Sequence, residues 1–132
     1  MSLRWYSIVV DSHEVNALAR WWGETLSWPV VYEGDGEAVI APPFVPAEPD
    51  AGTPVVERWP GFCFVAVGDE KTVKNRLHID LAPAPGDDQQ AAVDALVARG
   101  ATLADVGQSP DVGWVVLRDP EGNEFCVLSP RE

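Results

Sequence analysis

The sequence predicts an α+β fold: two paired strand–helix–three-strand (βαβββ) units that form a partly closed mixed sheet around a cleft. Three observations carry this reading. Residues 5–67 and 77–129 run through the same order of strand, helix and three short strands. Each helix has an apolar stripe at helical spacing behind an acidic start signal. The closing strands also match, with Gly61-Phe62-Cys63-Phe64-Val65 in one unit and Glu124-Phe125-Cys126-Val127-Leu128 in the other. A half-sheet covered by one helix leaves its second face bare, so the two halves are expected to form a single domain over residues 1–132.

The first unit opens on the strand Tyr6-Ser7-Ile8-Val9-Val10-Asp11. A helix is expected from about Ser12 to Leu26, because Val15, Leu18, Ala19, Trp22 and Leu26 share one helical face. Asp11 and Glu14 have the spacing of a capping box. Strands over Pro29–Glu33 and Glu37–Ala41 flank Gly34-Asp35-Gly36, a hairpin signal. The segment Pro42–Pro60 breaks the symmetry. Pro42, Pro43, Pro46, Pro49, Pro54 and Pro60 place six of the chain's twelve prolines there. It reads either as a rigid surface excursion or as a flap bearing Phe44, Val45 and Trp59 over the cleft.

The second unit opens on Leu77-His78-Ile79-Asp80-Leu81. Its helix is expected from about Asp88 to Arg99, with Asp87 and Gln90 as cap, Val93, Leu96 and Val97 as stripe, and Gly100 just past the end. Strands over Thr102–Val106 and Trp114–Arg118 follow. Asp119-Pro120-Glu121-Gly122 then has the residues of a type I turn.

Composition narrows the function. A hydrophobic content of 46% supports a folded chain, and no apolar run is long enough to span a membrane. The formal charge of -12 disfavours nucleic acid and anionic lipid as partners. Met-Ser-Leu-Arg-Trp carries no signal-peptide core, so a cytoplasmic protein is expected. Two cysteines are too few for a disulfide framework.

Lys74-Asn75-Arg76-Leu77-His78-Ile79-Asp80-Leu81 and Asp119-Pro120-Glu121-Gly122-Asn123-Glu124-Phe125 resemble the glyoxalase-like branch of the vicinal oxygen chelate superfamily. That group includes glyoxalase I, bleomycin-resistance proteins, fosfomycin-resistance enzymes and extradiol dioxygenases. Asp11 followed by Leu18-Ala19-Arg20-Trp21-Trp22 is similar to the branch's first helix. The resemblance implies a small-molecule ligand and lyase, isomerase, thiol-transfer or dioxygenase chemistry. It implies cleft positions at about Ser7, Cys63, His78 and Cys126, where metal-dependent members carry mostly His or Glu. Only His78 keeps that type, so no nickel, iron, manganese or magnesium is expected. It also implies that chains of this size pair, and a homodimer is expected.

Strand alternation adds a reading from the residues themselves. Leu77, Ile79 and Leu81 should face the helix, and Arg76, His78 and Asp80 the cleft. On the last strand Glu124, Cys126 and Leu128 should face the cleft. Four readings stay open. His78, Cys63 and Cys126 suit zinc, the one metal left open by two thiols and an imidazole. His78 is a general acid or base oriented by Asp80 or Glu124, or else a structural histidine paired with Arg76 and Asp80. The cleft only binds a ligand, with Trp5, Trp114 and Trp59 as flat walls beside Ser7 and Arg76. Cys63 and Cys126 are plain buried thiols. Trp22 is expected in the core. His13, Lys71 and Lys74 are expected in solvent, and Asn75 is expected to pin the turn before the fifth strand.

Overall fold

The computed structural model describes residue 3 and residues 5–44 and 60–131. Val45 and Trp59, expected on the flap, lie outside these residues, and Phe44 at their edge is exposed. The chain divides into two compact units, Met1–Gly68 and Asp69–Glu132. Each is an open four-stranded mixed sheet with one helix, so the fold is α+β.

In the first unit the elements are β1 (Ser7–Ser12), α1 (Val15–Leu26), β2 (Val30–Gly34), β3 (Glu37–Ile40) and β4 (Gly61–Ala66). The sheet order is β1-β4-β3-β2, with β1 and β4 parallel and the other pairs antiparallel. Helix α1 turns Val15, Leu18, Ala19 and Trp22 inward, as the periodicity predicted, and adds Trp21 and Gly23. Trp22 packs edge-on against Trp21 and Phe62, at ring separations of 5.1 and 6.0 Å. Phe64 and Ile40 complete this core. A side chain of that size contributes ~1.5–3 kcal/mol when fully buried.

The expected capping box at Asp11 and Glu14 does not form. Asp11 continues β1, and Glu14 is the N-cap without a side-chain cap bond. Parallel pairing carries β1 to Ser12, opposite Ala66, and delays the helix. The Val67 N–H then donates to the Ser12 carbonyl.

The second unit contains β5 (Ile79–Leu81), α2 (Gln89–Ala98), β6 (Thr102–Leu103), β7 (Val115–Arg118) and β8 (Glu124–Val127). Its order is β5-β8-β7-β6, with β5 and β8 parallel. Val93 and Leu96 of α2 are buried, together with Leu117, Phe125 and Val127. Val97 is 43% exposed and not part of the stripe as expected.

The cap of α2 is shifted by one residue from the expectation. Asp88, not Asp87, is the N-cap, and its carboxylate accepts the Ala91 N–H at 3.1 Å. Gly100 ends the helix at φ 110, with Gly100 N–H donating to Val97 O and Ala101 N–H to Leu96 O. This is the Schellman arrangement, and it needs the left-handed conformation that glycine adopts freely.

The fifth strand is shorter than expected. Leu77 is 89% exposed and precedes β5, so it does not join the helix-facing row. Only three residues pair with β8, from Ile79 opposite Phe125 to Leu81 opposite Val127. β6 is likewise two residues long, and Trp114 lies just before β7.

The Asp119–Gly122 turn forms as predicted. Gly122 N–H donates to the Asp119 carbonyl at 2.9 Å. The buried Asp119 carboxylate gathers the N–H groups of Glu121 and Asn123 at 2.9 and 3.0 Å. This network fixes where β8 begins.

Candidate functional site

The second unit contains a cavity of about 460 Å³ lined by residues between Lys74 and Arg131. Strand register creates it. Asp80 of β5 lies opposite Cys126 of β8, which lies opposite Val116 of β7, so all three share the sheet face away from α2. His78, Glu124 and Leu128 also border this space, as the alternation predicted. Trp114 and Val106 add apolar wall.

Two side chains outside the cavity lining hold that wall in place. Gln89 Nε2 at the start of α2 donates to the carbonyls of Gly113 and Val127, both at 3.0 Å. It thereby ties the residue before Trp114 to the end of β8. Gln108 Oε1 accepts the Val106 N–H at 2.8 Å, while its Nε2 donates to Ala104 O.

The polar end centres on His78, Asp80 and Cys126. His78 Nε2 stands 3.2 Å from Asp80 Oδ1. One ligand-type atom from each of the three residues falls within 4.8 Å of the others. Burial pushes the buried Cys126 thiol above its ordinary pKa, and the Asp80 charge and hydrogen bond add to this while Lys74 opposes it. Cys126 is therefore a protonated thiol at neutral pH.

Of the two carboxylates expected beside His78, Asp80 makes the contact. Glu124 is buried and its oxygens are engaged elsewhere. Lys71 Nζ donates to Oε1 at 2.8 Å and the Asn75 N–H to Oε2 at 3.0 Å, with Arg118 Nε 3.9 Å away. Burial raises the Glu124 pKa, but the bonds from Lys71 and Asn75 outweigh it and leave the carboxyl below its ordinary range. Lys71, expected in solvent, is thus the partner of a buried acid. Asn75 pins the segment before β5 as expected, through its backbone N–H.

Lys74 is exposed, as expected, and also lines the cavity, with Nζ donating to Asn75 O at 3.1 Å. Arg131 lines it too, and no local pattern in the sequence pointed to it. Arg76 is exposed and lies outside the cavity lining.

Trp5, Ser7 and Cys63 belong to the first unit. Trp5 is 64% exposed, and its Nε1 donates to Ser7 O at 3.2 Å. Ser7 and Cys63 share one sheet face, since Val9, two residues from Ser7, lies opposite Cys63. The Cys63 thiol donates to Glu37 Oε1 at 3.2 Å. Burial, the hydrogen bond and the charge of Glu37 together push its pKa up to about 11. The metal-capable group found among the described residues is therefore His78, Asp80 and Cys126, and Cys63 is not in it.

Two strand–helix–three-strand units with ligand-type side chains on the sheet face away from the helix are the architecture of the vicinal oxygen chelate superfamily. The chain belongs to the glyoxalase-like domain family, which matches residues 7–128. A fosfomycin resistance protein, FosX, from Listeria monocytogenes is similar in structure at 15% identity and a TM-score of 0.67, covering 99% of this chain and 94% of that one. The same protein complexed with Mn(II) and sulfate gives a TM-score of 0.68 at 13% identity, covering 99% and 93%. A glyoxalase/bleomycin resistance protein from Albidiferax ferrireducens matches at 18% identity and 0.60, covering 96% and 98%. At these identities the likeness concerns the fold alone. No match was found among curated proteins.

Proposed function

We propose that the protein binds a small organic molecule in the cavity of its second unit, and that His78 with Asp80 moves a proton on it. The observation that carries this is the cavity itself. It has a ligand-sized volume, an apolar wall of Trp114, Val116, Val106 and Leu128, and a paired imidazole and carboxylate at one end. An imidazole held by a carboxylate suits proton transfer near neutral pH. Lyase or isomerase chemistry fits that pair, and a sequestering protein would use the same wall without the proton step. Glu124 serves as a positioning residue, acting through Lys71 and Asn75. We assign binding to second-unit residues rather than to Trp5, Ser7 and Cys63.

A zinc ion is a second reading, favoured by the closeness of the three donor atoms. Imidazole, carboxylate and thiolate are zinc ligands, and three of them leave a fourth position for water or ligand. The thiol makes zinc a better fit than the manganese bound by the Listeria protein. Zinc would supply a Lewis acid beside His78. It would have to displace the proton that burial and Asp80 keep on Cys126.

The test is a fragment screen by protein-observed NMR on the wild type, His78→Ala and Trp114→Ala. Hits should cluster on cavity resonances and weaken in both variants. Hits insensitive to both substitutions, or none at all, would refute the assignment. Cobalt(II) substitution addresses the metal: a cobalt–thiolate absorption lost in Cys126→Ser supports the site, and its absence in the wild type removes it.

Among the described residues no helix is long and apolar enough to cross a membrane. We take the protein to be cytoplasmic and a homodimer, the latter supported by exposed Tyr6, Val9 and Tyr32 in the first unit. Light scattering at twice the 14.3 kDa chain mass is the expected result.

A further inference from the structure

We infer that the ligand of this cavity is a small organic anion with a flat apolar body, its negative group held by Lys74 and Arg131. The inference rests on the binding reading above and adds the charge of the ligand.

The argument is a local charge balance. Four charged side chains line the cavity besides His78: Lys74, Arg131, Asp80 and Glu124. The two acids are already engaged. Glu124 is buried against Lys71 and the Asn75 N–H, with Lys71 itself outside the lining. Asp80 is shared between His78 and Cys126. Among the described residues, neither cation is paired with an acid. Lys74 spends one donor on the neutral Asn75 carbonyl, and an ammonium has three. It lines the same cavity as Cys126 and Trp114. Arg131 brings a planar fork of donors suited to a carboxylate.

The sign is opposite to that of the whole molecule, whose net charge is -12. Exposed acids more than about 8 Å away are screened at physiological salt, whereas cations in the cavity act at contact distance. The apolar wall then selects the rest of the ligand. The Trp114 ring, 43% exposed, offers a face for an aromatic or similarly flat body.

The experiment is calorimetric titration with three probes that share one ring system and differ in charge: 2-naphthoate, 2-naphthamide and 2-naphthamidine. The wild type should bind the carboxylate at least ~10-fold more tightly than the amide, a gap of about 1.4 kcal/mol. Lys74→Gln should remove most of that gap, and Lys74→Gln with Arg131→Gln all of it, through loss of affinity for the carboxylate rather than gain of affinity for the amide. Both side chains are exposed, so the variants are expected to fold. Equal binding of the three, or a preference for the amidine, would overturn the anion inference and leave the binding reading intact. Binding of none would overturn it too, and the binding reading would then be decided by the fragment screen.

Discussion

Replacing Glu124 by Gln changes one atom in a buried position and removes one charge. In the native protein one carboxylate oxygen accepts from Lys71 Nζ at 2.8 Å and the other from the Asn75 N–H at 3.0 Å. Glutamine keeps one acceptor and turns a donor toward one of these donors. Hydrogen bonds to a charged group contribute about 1.5–3 kcal/mol each. Breaking a fully buried ion pair costs about 3–5 kcal/mol, and an exposed pair contributes under about 1. Lys71 keeps 24% of its side chain exposed against 4% for Glu124, which places this pair between the limits. Glu124→Gln should therefore cost about 2–3 kcal/mol at neutral pH.

The pH dependence has a definite sign. The folded pKa of Glu124 lies below its ordinary value of 4.5. The carboxylate's contribution is thus fully present above the unfolded pKa and is lost as pH falls through the folded one. The stability gap between wild type and variant should be constant from pH 7 to about 5 and shrink below about 4.5. Urea denaturation followed by far-UV circular dichroism at several pH values measures both quantities. A gap under about 0.5 kcal/mol, the usual range of a surface change, would show that the Lys71–Glu124 contact does not hold the segment before β5. A gap of full size that persists in acid would show that charge is not its source.

The two remaining predictions concern the cap of α2 and the thiol of Cys63. Asp88→Ala should destabilise the protein by about 1 kcal/mol, and Asp87→Ala by less than about 0.5, both by urea denaturation; the reverse order would restore the cap spacing first read from the sequence. Cys63, with its pKa near 11, should react slowly with iodoacetamide at pH 8, with a rate that climbs until about that pH. Glu37→Gln should speed the pH 8 reaction several-fold, as followed by peptide mass spectrometry; a half-maximal rate near pH 9 in the wild type would contradict the Cys63–Glu37 bond.

The duplicated strand–helix–three-strand order was readable from residues alone, because helix and strand periods are local. Val15, Leu18, Ala19 and Trp22 form a stripe whatever they pack against, and Asp119-Pro120-Glu121-Gly122 carries its own turn. Alternation likewise put Asp80 and Cys126 on one face, since a strand has only two, and His78 borders the same cavity from just before β5. What lay beyond reach were quantities set by distant partners. Lys71 looked like a solvated lysine because nothing near it in sequence needs a charge. Its acid, Glu124, is 53 residues away. Leu77 looked like a strand residue by alternation, yet β8 pairs only from Ile79 onward. Asp11 and Asp87 had cap spacing, but strand pairing extended β1 through Ser12, and the turn before α2 placed Asp88 at the cap. Lys74 and Arg131 meet at one cavity only once the sheet has folded. Local pattern is enough for the elements and their faces, whereas ion pairs, strand ends and cavity charge depend on contacts between residues far apart in the chain.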